Sequence, residues 1–247
     1  MKKLWPLLAL GIGAFLVFAF VTLPASAVLS FFHPPGVTLA GVSGTLWNGR
    51  AQAVSSGSLH LGSVEWHLDI LSLFTGKLGA NVKVTRTDGF AQGHIAAGPG
   101  RITLRGFNAS LPVNALPANV VRGGWTGTLN LKLTELALDN SWPVAANGTI
   151  EVTDLVGPAN RPAAMGSYKV VFPEGAATGD TLTGQLSDNG GPFAVNGTVE
   201  LKKNRSYLVN GLVATRPGAP GDIVRTLEIL GEPDAQGRRQ FSIEGSM

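Results

Sequence analysis

Laid over Leu182–Glu200, the segment Leu133–Glu151 matches at ten of nineteen positions, a repeat with a shift of 49 residues. Both copies carry Leu-Thr, then Asp-Asn, Pro, Ala and Asn-Gly-Thr-x-Glu. A unit that recurs at fixed spacing is a supersecondary piece that buries its apolar side only by lying against a neighbour. In the second copy Phe193, Val195, Gly197, Val199 and Leu201 alternate with Ala194, Asn196, Thr198, Glu200 and Lys202. This period of two predicts a half-buried strand rather than a helix. Asn147-Gly148 and Asn196-Gly197 also fit type I′ hairpin turns. Strand interiors are preferred, because Asp139-Asn140 and Asp188-Asn189 already supply turn chemistry just upstream. On that reading a glycine falls on the apolar face and leaves a shallow place where another chain, a lipid tail or a neighbouring backbone approaches.

The same alternation recurs in Ser63–Asp69, Ala80–Arg86, Arg101–Ala109, Trp125–Leu138, Tyr207–Thr215 and Arg239–Ser246, with a turn at Lys202-Lys203-Asn204-Arg205. Helical signal is sparse after the first thirty residues. Leu111–Val121 fits a short, proline-interrupted helix. Pro220–Leu230 fits an amphipathic one, with Ile223, Leu227 and Leu230 inward and Gly231 as its stop. The expected fold is mainly β: a single N-terminal transmembrane helix, then an elongated, curled antiparallel meander with one or two short helices. About 215 residues follow Phe32, enough for one such domain with a loose division near residue 110.

The membrane expectation rests on residues 4–32, which contain no Asp, Glu, Lys or Arg and follow Lys2-Lys3 directly. A span needs about 20 apolar residues. Leu4–Leu23 supplies them before Pro24, Trp5 suits the headgroup level, and Lys2 and Lys3 assign the N-terminus to the cytoplasm. The remainder of residues 33–247 is then exported. Ala25-Ser26-Ala27 also has the small-x-small form of a signal-peptidase site. Against cleavage, the apolar stretch is longer than a usual signal core and continues through Val28–Phe32.

Beyond Lys2 and Lys3, 17 basic residues face 16 acidic ones, so no basic face points to nucleic acid. Glycine at 33 of 247 and charge at 14%, against about 25% in ordinary domains, suit long strands with many turns. With no cysteine, the chain has no thiolate metal site, redox motif or disulfide. His33, His60, His67 and His94 form no His-x-x-x-His pair. Glu65, His67 and Asp69 share one strand face, where the wet side of an amphipathic strand explains them better than a metal does. Gly41-Val42-Ser43-Gly44 lacks the context of a nucleophile elbow. Asp154, Asp180 and Asp188 lack the run of a calcium loop and read as turn residues. No catalytic, cofactor or metal residues are assigned, and an enzyme is not expected.

Leu39-Ala40-Gly41-Val42-Ser43-Gly44-Thr45-Leu46-Trp47-Asn48-Gly49-Arg50-Ala51 resembles the segment that follows the anchor in type II secretion system protein N. Leu61-Gly62-Ser63-Val64-Glu65-Trp66-His67-Leu68 resembles that family's next block. Leu230-Gly231-Glu232-Pro233-Asp234-Ala235-Gln236-Gly237-Arg238-Arg239, on to Gly245, resembles its C-terminal block. The family signature thus falls on Gly44, Thr45, Leu46, Trp47, Gly49, Trp66, Gly231, Gly237 and Gly245, as structural or docking residues. The resemblance implies an accessory inner-membrane component of general secretion, with its body in the periplasm. Such a component assists export of folded proteins by contact with other subunits, the secretin or the inner-membrane platform among them. Related AsmA-like β proteins carry similar turns, which makes a periplasmic lipid carrier the alternative. From residue physics, Gly44 and Gly49 permit turns. Leu46 and Trp47 fasten an early strand to the core, or Trp47 sits at an exposed docking patch.

Overall fold

The computed structural model describes residues 5–31, 36–56, 59–73, 76–116, 121, 123–158, 160 and 162–246. The chain falls into two compact units, residues 1–86 and 87–247.

In the first unit, α1 (Trp5–Val21) and α2 (Ala25–Phe31) precede a small antiparallel sheet. Pro24 separates the two helices because it lacks an N–H and pushes Leu23 out of the helical region. The sheet runs β1 (Val37–Ala40), β3 (Asn48–Ser56), β4 (Leu59–Asp69) and β5 (Leu78–Thr85), with β2 (Ser43–Gly44) on β3 and α3 (Ile70–Leu73) following β4. Among the described residues no helix is long and apolar enough to cross a membrane. Within the expected span, Leu4–Leu23, the described helix runs 17 residues, Trp5–Val21. It is apolar on every side, and its large side chains from Leu8 to Val21 are 47–72% exposed.

The second unit carries β6 (Phe90–Gly98), β7 (Arg101–Pro112), β8 (Thr126–Asp139), β9 (Trp142–Val156), β10 (Ala164–Phe172), β11 (Ala177–Thr178), β12 (Thr181–Asp188), β13 (Phe193–Lys202), β14 (Ser206–Thr215), α4 (Gly221–Leu227) and β15 (Arg239–Ser246). Each strand pairs antiparallel with the next, except that β10 pairs with β12 and the two-residue β11 lies against β12. The repeat is a hairpin used twice, as β8–β9 and as β12–β13. Asn147-Gly148 and Asn196-Gly197 lie inside β9 and β13.

Cross-strand register turns the alternation into two-faced sheet. One row of partners reads Ala91, Ala109, Leu131, Ile150, Val170, Leu186, Gly197, Gly211, Phe241 across nine strands. The adjacent row reads Gln92, Asn108, Lys132, Thr149, Val171, Gln185, Thr198, Asn210, Ser242. The first row is apolar and the second, Val171 apart, is polar, because successive side chains of a strand point to opposite faces. A buried apolar cluster joins Ala146, Phe172, Ala176 and Leu182, the last 1% exposed, with Leu136, Ile150, Val170 and Leu201 against them.

One expectation is corrected. Leu111–Val121 does not begin as a helix: Leu111 and Pro112 remain in β7, paired with Leu129 and Thr128, and only a 3-10 turn at Val113–Ala115 follows. Residues 117–120 lie outside the described residues. The glycines of the apolar face do admit close approach, and of the three occupants expected it is the neighbouring strand that takes the space. A Cβ on Gly197 would stand 2.1 Å from the Asn210 carbonyl oxygen, and one on Gly211 would stand 2.9 Å from the Phe241 ring. Neighbouring backbone and an aromatic ring from the next strand already fill that space.

Candidate functional site

The first block of signature residues forms a joint between α1 and the sheet of the first unit. Gly44, at φ +87°, turns the chain tightly, and a Cβ there would meet the Asn48 carbonyl oxygen at 2.4 Å. The turn closes when Thr45 N–H donates to the Asn48 oxygen at 2.8 Å and Asn48 N–H donates to Thr45 Oγ1 at 3.1 Å. Thr45 also forms a bridge with Pro24. Leu46 N–H donates to the Leu23 carbonyl at 2.8 Å. These contacts tie the turn to the helix ends by backbone alone.

Trp47, 6% exposed, completes the joint. Its ring lies 4.5 Å from that of Phe20, tilted by 52°. Its Nε1–H donates to the Phe20 carbonyl at 2.7 Å. That carbonyl belongs to the last turn of α1, where it otherwise accepts a long bond of 3.5 Å from Leu23 N–H, so the indole caps the helix. Trp66 on β4 braces the other side, donating Nε1–H to the Leu46 carbonyl at 3.0 Å. Gly49 lies in β3 rather than at a turn, and its lack of a side chain makes room for that ring: a Cβ would be 2.2 Å from Trp66 Cζ2. Trp47 is thus covered by Phe20 and presents no ring to solvent. Sequence periodicity does not signal this contact, because 27 residues and a helix break separate Phe20 from Trp47.

The second block serves the other unit. Gly231 (φ +99°) ends the helical segment Gly221–Leu230, and its carbonyl accepts from Arg239 Nη1. Gly237 (φ +74°) closes a loop built on Asp234, whose carboxylate accepts from Gln236 N–H, Arg238 N–H and Arg238 Nε. Those bonds hold the Asp234 carboxyl below its ordinary range, Arg238 N–H contributing most. Gly245 on β15 accommodates the Tyr207 ring, 2.5–2.7 Å from where a Cβ would stand. Gly44, Thr45, Leu46, Trp47, Gly49 and Trp66 are therefore brought together. Gly231, Gly237 and Gly245 belong to a separate arrangement at the C-terminal hairpin.

An apolar cleft of about 440 Å³ lies between α4 and the sheet in the second unit, with Ile223, Leu227 and Leu230 above Leu186, Val195 and Val209. The Tyr168 hydroxyl at its border donates to the Met165 carbonyl at 2.6 Å. Burial, followed by the charge of Asp188, raises its pKa. Asp188 accepts from Val195 N–H at 2.9 Å, Gly190 N–H at 3.2 Å and Arg216 Nη1 at 2.7 Å. Burial opposes its ionisation, but these bonds outweigh burial and hold its pKa below the ordinary value. Among the described residues no group of three or more His, Asp or Glu side chains is placed to hold a metal ion. Glu65 pairs with Arg50 at 3.6 Å, and His67 Nδ1 meets Asn48 Oδ1. His33 lies outside the described residues.

These features define a class: a β-sheet protein that carries an exposed, wholly apolar helix fastened to its first sheet by a tryptophan-capped turn. The chain belongs to the type II secretion system protein N family, whose model matches residues 35–242. It is 28% identical to the type II secretion system protein N of Aeromonas hydrophila over 99% of both chains. It is 24% identical to that of Vibrio cholerae over 92% of both, and 22% identical to that of Pectobacterium carotovorum over 91% of this chain and 90% of the relative. No solved structure matches the chain. These comparisons do not show the relation to AsmA-like proteins that the sequence suggested.

Proposed function

We propose that the chain is an accessory component of the type II secretion machinery, anchored in the inner membrane by α1, with the β-rich remainder in the periplasm. It works by contact with other machine subunits rather than by chemistry. The observation that carries this reading is the joint. Trp47, within the family signature, caps α1 and packs on Phe20, which supports retention of α1 as part of the folded protein over its loss as a leader. Cleavage after Ala27 would strip Trp47 of both partners. It would also remove Ala25, which is fully buried.

The character of α1 supports membrane insertion. Its 17 described residues correspond to about 26 Å at 1.5 Å per residue. Bilayers thin locally around short apolar helices at modest cost, and apolar side chains on every side of the helix suit lipid better than water. Lys2 and Lys3 then stay cytoplasmic by the positive-inside rule.

The test is deletion of the gene in the bacterium that encodes it. Folded exoproteins should accumulate in the periplasm. The full chain should restore secretion, and a version whose first 27 residues are replaced by a cleavable leader should not. Unchanged secretion in a strain without a substitute subunit would refute the proposal, as would full rescue by the cleavable version.

A further inference from the structure

We infer that β15 is a self-association edge, at which two copies of this chain pair antiparallel about a two-fold axis at Ser242. β15 pairs with β14 through eight consecutive residue pairs, Ser206↔Ser246 to Val213↔Arg239, without a register shift. Among the described strands none pairs with its other side. That side presents a row of backbone N–H and C=O groups ready for another strand; β15 has no Lys, Pro or bulge, and its charged side chains, Arg239 and Glu244, stand towards its two ends and leave Gln240–Ile243 uncharged. Large apolar side chains flank it: Ile243 is 55% exposed, Leu230 40% and Ile229 84%. The turn carrying Ile229 and Leu230 lies against β15.

The sequence of the edge selects a second copy as its occupant. With the axis perpendicular to the sheet at Ser242, residue faces are preserved. Phe241 lies opposite the partner's Ile243, and Ile243 opposite the partner's Phe241. The apolar row thereby continues across the seam, two apolar pairs of the kind that stabilise strand pairing. On the polar face Ser242 meets its own copy and Gln240 meets the partner's Glu244. Arg239 falls opposite the partner's Gly245, so no like charges are opposed. An isologous interface requires this self-complementarity.

The chain has no native cysteine, so single substitutions report on the pairing without interference. Full-length Ser242→Cys protein in membranes is treated with a mild oxidant and run on a non-reducing gel. Directly opposed residues have Cα atoms about 4.5–5.5 Å apart, within disulfide reach. Two Gln240 positions would lie about 13 Å apart along the strands, out of reach. Ser242→Cys should therefore form a linked dimer and Gln240→Cys should not. Adding the exposed-site change Ile243→Asp to Ser242→Cys should reduce the linked fraction at least tenfold. The inference is overturned if Ser242→Cys stays monomeric, if Gln240→Cys links as strongly, or if Ser242→Cys captures a different protein, which would mean that a foreign strand occupies the edge.

Discussion

Replacing Trp47 separates the joint into its parts. Trp47→Ala removes a ring that is 6% exposed and packed on Phe20. Truncating a buried tryptophan costs about 3–5 kcal/mol, and loss of the Nε1–H bond to the Phe20 carbonyl falls within that figure. Trp47→Phe keeps most of the apolar contact and removes the donor, at a cost of about 1–2 kcal/mol. Hydrogen exchange on the full chain in detergent micelles reads both. The Leu46 N–H, bonded to the Leu23 carbonyl, and the Leu68 N–H, bonded to the Trp47 carbonyl, report opening of the joint. Amides of β13 and β14 serve as the reference for global opening. At about 1.4 kcal/mol per factor of ten, Trp47→Ala should speed exchange at Leu46 by about 2 to 3.5 powers of ten. Trp47→Phe should speed it by about tenfold. Unchanged exchange at Leu46 in Trp47→Ala would refute the capping argument. Equal effects of the two variants would show that ring burial contributes nothing beyond the donor.

Gly49→Ala should drive its new methyl into the Trp66 ring and break the bond from Trp66 Nε1 to the Leu46 carbonyl. Such overpacking costs about 1–3 kcal/mol, and the melting temperature should fall by about 2–4 °C per kcal/mol in a chain of this length; an unchanged melt would show that the ring relocates freely. For Asp188, whose folded pKa lies below the ordinary 3.8, the stabilising contribution is full above about pH 4. It is lost as pH falls through the lower folded value. The urea midpoint should therefore drop on the acid side, and Asp188→Asn should lower the midpoint at pH 7 and flatten that drop. An acid limb identical in the variant would exclude Asp188 as its source.

Strict alternation made β13 and β15 legible, and their observed bounds coincide with the expected ones. The helical segment before Gly231 was legible from Ile223, Leu227 and Leu230, all of which line the cleft. β10 was not. Register shifts around Gly166 place two irregularities in its first half, and Val171 interrupts the polar row, so neither period dominates. β6 was hidden by its alanines, which carry little hydropathy contrast, and by the shift between Gln92 and His94. The misread helix over 111–121 follows from the same limit. Local propensity does not register that Leu111 and Pro112 have strand partners on β8. In the joint, glycines and tryptophans stood out by type, but their purpose depends on Phe20 and Leu23, which look like any other residues of an apolar run.

Strands rich in glycine slide easily, because little distinguishes one alignment from the next. Here each ring resting on a bare backbone acts as a key cut for one position. A slip of two residues would carry Phe241 off Gly211 and onto Val209 or Val213, and Tyr207 off Gly245 and onto Ile243. Each ring would then leave the bare backbone on which it now lies, and Gly211 and Gly245 would be left uncovered. The bare positions that weaken each strand by itself are what lets the hairpins find a single alignment.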